Sequence, residues 1–124
     1  MAQSAGLHEP EDRLTAATID RHRAIVSLQE ELEAVDWYDQ RVAATTNADL
    51  GAVLAHNRDE EKEHAAMVLE WLRRQDPVLD QHLRTYLFTS EAITEIETES
   101  EGTGAGAADV SGSLNIGSLR EVRQ

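Results

Sequence analysis

The 124-residue chain has no cysteine, which excludes a disulfide framework, a thiolate metal site and a rubredoxin-like module for passing electrons. Its two prolines are Pro10 and Pro77, and no glycine or proline interrupts the run from Leu14 to Thr45. Aromatic residues make up 4% of the chain, within a hydrophobic content of 40%. The core that one copy can bury is therefore modest, and a metal or a partner subunit often completes so small a domain. No apolar run approaches the ~20 residues of a membrane span, and the opening MAQSAGLHEP lacks a basic segment followed by an apolar one. A cytoplasmic protein with no membrane partner is expected. Cationic side chains are scarce too: Lys62 is the lone lysine, and 11 basic groups stand against 24 acidic ones for a net charge of −13. Such a balance disfavours nucleic acid and favours cations or basic surfaces. Residues 1–90 hold 9 of the basic and 17 of the acidic groups, so the acidity is not confined to the tail.

What remains is helical pattern. Residues 1–12 are polar, include Pro10 and read as a flexible N-terminus. From about Leu14 to Thr45, Leu28, Leu32, Val35, Tyr38 and Val42 recur at spacings of three and four, the helical period; one helix of roughly 45 Å is expected. The stretch Thr45-Thr46-Asn47-Ala48-Asp49 offers capping groups for a second helix, which runs to about Gln75 with Leu54, Ala65, Val68 and Leu72 on one face. Asp76-Pro77 interrupts it, and a shorter helix from about Val78 to Leu87 restarts with Pro77 in its first turn. The fold class is all-α: an antiparallel hairpin of two long helices plus a short one, spanning residues 13–90. Residues 91–111 alternate acids with small polar residues and read as a flexible acidic linker. Residues 112–124 regain Leu114, Ile116 and Leu119 and read as a docking peptide at the end of that tether.

The chemistry lies in the hairpin. Glu61 and His64 form a Glu-x-x-His step, whose spacing puts both side chains on one helical face. Glu61 shares the face of Leu54, Asn57, Ala65, Val68 and Leu72, while Glu31 shares that of Leu28, Val35 and Tyr38. A carboxylate among apolar side chains ends up paired, protonated or bound to metal, and Lys62 lies off this face. Ferritin-like di-metal bundles take one inward Glu from each of two helices and one Glu-x-x-His from each of the other two. One copy of this chain supplies half of that set, so a homodimer would complete a four-helix bundle and a site of four Glu and two His. Four negative charges offset two divalent cations. Oxygen-rich ligation with one imidazole per metal suits iron or manganese, with zinc a competitor by affinity.

Blander readings compete at each position. Glu-x-x-His occurs by chance in acidic helices, and an aromatic such as Tyr38 on a core face is usually packing. Glu30, Glu33 and Asp36 form an acidic ridge with Trp37, and such charge runs are usually solvated; duplicated by symmetry, the ridge could attract ions moving inward. His22, His56 and His82 read as structural or solvated.

Three runs, EELEAVDWYDQR (30–41), LAHNRDEEKEHAAMVLEWLRR (54–74) and HLRTYLF (82–88), closely resemble the encapsulated ferritins, and GSLNIGSLR (112–120) resembles the peptides that load cargo into encapsulin shells. The resemblance implies Glu31, Glu61 and His64 as ferroxidase ligands shared across a dimer interface. It implies Glu30 and Glu33 as an outer metal site, with Trp37 and Tyr38 adjoining the metal path. A ring-like decamer, an encapsulin partner and iron mineral held inside the shell are implied with them. The expected function is oxidation of Fe2+ to Fe3+ by oxygen at a di-iron centre, inside an encapsulin nanocompartment in the cytoplasm. A second expectation, from a different class, is a non-catalytic metal-buffering or architectural cargo in which metal only staples the dimer. A third, a di-iron electron-transfer or peroxide-reducing protein, would need a reductant partner.

Overall fold

A computed structural model describes residues 6–107, with backbone alone for 102–107. All regular elements among the described residues are helical. They fall into two compact units, Met1–Leu72 and Arg73–Gln124, and among the described residues no helix is long and apolar enough to cross a membrane.

In the first unit, a short 3-10 turn at Glu11–Arg13 precedes helix α1, Ala16–Ala44. Thr15 starts α1 by accepting the Thr18 N–H at 3.1 Å, a side-chain cap on one of the amides that a helix N-terminus leaves unpaired. The helix stops at Thr45, whose extended backbone still donates to the Arg41 carbonyl at 3.0 Å. Helix α2, Ala48–Gln75, begins after only three residues. Neither Thr45 nor Asp49 caps it; the Asn47 side-chain oxygen accepts the Leu50 N–H at 2.9 Å.

Two contacts give the direction of α2 against α1. Arg58 Nη1 donates to Asp39 Oδ1 at 3.0 Å, and His64 Nδ1 lies 3.6 Å from Glu31 Oε1. Going forward along α2 from Arg58 to His64 goes back along α1 from Asp39 to Glu31, so the hairpin is antiparallel. Its core is thin. Among the described residues only Ala65, Leu72 and Ile96 are buried apolar side chains, while Ile25, Leu32, Trp37, Leu50, Val53, Met67 and Trp71 of the first unit are exposed. So thin a core is little for a small domain to be stable on its own.

In the second unit, Asp76 caps helix α3, Pro77–Tyr86, by accepting from Val78 and Leu79 N–H at 3.0 and 3.1 Å. Pro77 is in the first turn, where its missing N–H costs nothing. Asp80 is clamped by Arg73 and by Arg84 Nε at 2.9 Å. Burial pushes the Asp80 carboxyl up, but the two guanidiniums prevail and hold it below the ordinary aspartate value.

The segment expected as an acidic linker differs from that expectation. Ile93–Ala107 forms a helix, α4, which packs on α3 and buries Ile96. The pull of an apolar contact outweighs a composition of Thr, Ser and Gly that disfavours helix locally. Residues 108–111 and the whole of the expected docking peptide, 112–124, lie outside the described residues.

Candidate metal centre

Glu31 from α1 and Glu61 and His64 from α2 converge. One ligand atom from each lies within 4.8 Å of the others, and His64 Nδ1 is 3.6 Å from both Glu31 Oε1 and Glu61 Oε1. The two carboxylates are about one-quarter exposed, against 47% for the imidazole, so the acids point inward and the histidine sits at the rim. Three features of the chain produce this. Three-residue spacing aligns Glu61 with His64, a three-residue connection folds α2 back on α1, and the Arg58–Asp39 pair fixes the register two turns away.

Glu31 has a raised proton affinity. Its carboxyl shares a hydrogen bond with Glu61, is partly desolvated and faces the Glu61 charge, and the nearby His64 opposes the shift only in part. Two carboxylates competing for one proton are a donor set suited to a cation. Ligands around an ion at ~2.1 Å lie no more than about 4.2 Å apart. A span of 4.8 Å would therefore need only a small closing movement. Two carboxylates and a neutral imidazole carry the charge of one divalent ion, and oxygen with one nitrogen suits iron or manganese.

The other expected site residues are not part of this trio. Glu30 is exposed and Glu33 half-buried on a different face of α1, alongside the exposed Trp37. Tyr38 shares the Glu31 face but is two turns along, about 10 Å at 1.5 Å per residue, with the Arg41 guanidinium 5.4 Å from its ring centroid. His56 pairs loosely with Glu60 at 3.9 Å on the exposed side of α2. Arg58 carries no distinguishing signal in the sequence, because its pairing with Asp39 depends on a register that helical periodicity does not give.

Comparison with known proteins adds to this geometry. The sequence model of the EncFtn-like family matches residues 6–90. A Rhodospirillum rubrum encapsulated ferritin-like protein is 61% identical over 129 residues, covering 97% of this chain and 92% of its own. A Thermotoga maritima ferritin-like protein is 54% identical over 112 residues, covering 90% and 96% respectively. The encapsulin nanocompartment cargo protein EncC of Myxococcus xanthus is 36% identical over 104 residues, covering 77% and 80%. Among solved structures, the crystal structure of protein ne0167 from Nitrosomonas europaea superposes with a TM-score of 0.69 at 61% identity, covering 71% of this chain and 97% of that one.

Proposed function

The chain belongs to the EncFtn-like family, and on that premise we propose that it is a ferroxidase whose di-iron site is shared by two protomers. The observation that carries this reading is the convergence of Glu31, Glu61 and His64 within 4.8 Å. Two such half-sites, related by a two-fold axis, would hold two ions with four carboxylates and two imidazoles. The thin core and the exposed apolar faces of α1 and α2 support a second copy as the missing half. Ferrous iron is the substrate: two Fe2+ each give one electron, and dioxygen with two protons accepts both as hydrogen peroxide.

The chain's own part is to bind and position. Glu31 and Glu61 supply negative charge in a partly dry cleft, where it counts for more than in water. His64 supplies a neutral donor whose small footprint leaves coordination positions open to oxygen. Glu30 and Glu33, beside Trp37, would collect ions on the outer face, and Tyr38 adjoins the path. We further assign the assembly as a ring-like decamer, loaded into an encapsulin shell through residues 112–124, with the ferric product stored as mineral inside. A metal-buffering cargo would take up iron once and stop. Oxidation of Fe2+ should continue well beyond two equivalents per dimer and be lost in Glu61→Ala. A single burst equal to the number of sites, or full activity in that variant, would overturn the assignment.

A further inference from the structure

Helix α2 carries an exposed seam that passes through His64 and runs well beyond the metal trio at both ends. Leu50, Val53, Met67 and Trp71 are 48%, 56%, 64% and 39% exposed. They stand at alternating spacings of three and four with Asn57, Glu60 and His64 between them, so seven positions make one continuous stripe. The stripe is nearly symmetric about Glu60: an apolar pair at each end and polar groups in the middle. Run antiparallel to a second copy, it sets Leu50 against Trp71 of the partner subunit and Val53 against Met67 of the partner subunit, a larger side chain facing a smaller one each time. It also sets Asn57 opposite His64 of the partner subunit. A parallel pairing would instead stack each residue on its own copy. The charges favour the antiparallel choice, since α2 has Asp49 in its first turn and Arg73 and Arg74 in its last, and antiparallel helix dipoles attract.

Asn57 is the polar residue that this pairing explains. Its side chain is half-buried in the seam and, among the described residues, has no hydrogen-bond partner. His64 turns Nδ1 toward the two carboxylates, so a metal bound there would take that nitrogen and leave the Nε2–H to be held by something else. Ligating histidines almost always donate their second nitrogen to a fixed acceptor. We infer that Asn57 of each protomer is a positioning residue for His64 of the other, its side-chain oxygen accepting the Nε2–H across an antiparallel α2 seam. This rests on the reading of His64 as a ligand.

The absence of native cysteine makes the seam directly testable in the full-length protein. The double variant Val53→Cys, Met67→Cys, oxidised with diamide, should give covalent dimers whose tryptic map joins position 53 to position 67 of the other chain. Self-linkage of either single variant, or no linkage, would overturn the antiparallel seam. In the same cysteine background, Asn57→Leu should leave the cross-link unchanged and weaken Mn2+ binding by about 10-fold or more, measured calorimetrically, and Asn57→Asp should restore it. Unchanged Mn2+ affinity, or loss of the cross-link with the affinity, would overturn the positioning role. Failure of the shared-site reading would show elsewhere, as full Mn2+ affinity in His64→Ala, whatever the cross-links report.

Discussion

Assembly of this protein should depend on metal, and the size of the dependence follows from the site. The ligand atoms of Glu31 and Glu61 are within 4.8 Å, where two unit charges repel by about 1 kcal/mol in water and about 3.5 kcal/mol at an effective dielectric near 20. Both carboxylates are about one-quarter exposed, so the interaction lies between these limits and the bulk-water figure is a floor. Closing two half-sites creates four new carboxylate pairs across the interface, about 4 kcal/mol of repulsion if all are ionised, or roughly a thousandfold in dissociation constant. A divalent ion in each half cancels that charge and, by binding the associated form more tightly than the separated chains, pulls the equilibrium toward it. Sedimentation velocity of EDTA-treated protein should show small species that shift to larger ones as Mn2+ is added. Acid should act in the same direction as metal. Within one protomer the Glu31 pKa is already raised above its ordinary value by its neighbour Glu61, and closure that brings two more carboxylates to the site raises its proton affinity further, so the closed apo form should gain stability as pH falls and lose it as pH rises. A sedimentation profile that does not move across a saturating titration would mean that packing alone holds the interface, and the electrostatic argument would be wrong.

Three further outcomes are expected. Replacing Glu30 and Glu33 together by Ala should change the rate of ferrous oxidation at low iron and leave Mn2+ stoichiometry at the centre intact; loss of the bound metal would place them in the primary site. Asp80→Asn should cost about 1 kcal/mol in urea unfolding at pH 7. The two guanidiniums hold the Asp80 pKa below its ordinary value, so the wild-type advantage is present at neutral pH and should fade as pH falls through that lowered pKa; an equal difference at every pH would count against the ion triad as its source. Deleting residues 112–124 should leave oxidation in solution intact and abolish co-purification with a co-expressed encapsulin shell, and continued encapsulation would show that the address lies elsewhere.

Most of the hairpin was legible because its signals are local. A run without glycine or proline, apolar residues at spacings of three and four, and Asp76-Pro77 at a break placed α1, α2 and α3 to within two residues of Ala16–Ala44, Ala48–Gln75 and Pro77–Tyr86. Helix α4 was not legible, because its own residues favour a linker and what holds it is the burial of Ile96 in the contact with α3. The same reason hid the Arg58–Asp39 pair. Nineteen positions separate its partners, and no period within either helix reports what the other presents to it.

The trio was legible for a different reason. A carboxylate on an apolar face is costly unless something offsets its charge, so Glu31 and Glu61 among Leu28, Val35, Leu54 and Val68 stand out as groups in need of a partner before any distance is known. The structure brings Glu31, Glu61 and His64 together within one protomer, and that protomer leaves three things undone. Its two facing carboxylates have no lysine or arginine between them among the described residues, its rim histidine is 47% exposed, and the apolar stripe that would shelter it faces outward. Charge, ligand count and burial are three separate deficits, and one event, the antiparallel closure of α2 on a second α2 with two divalent ions between them, answers all three. A single-chain variant of the hairpin made soluble by polar substitutions at Leu50, Val53, Met67 and Trp71 should accordingly keep its helices, bind metal weakly and fail to oxidise iron.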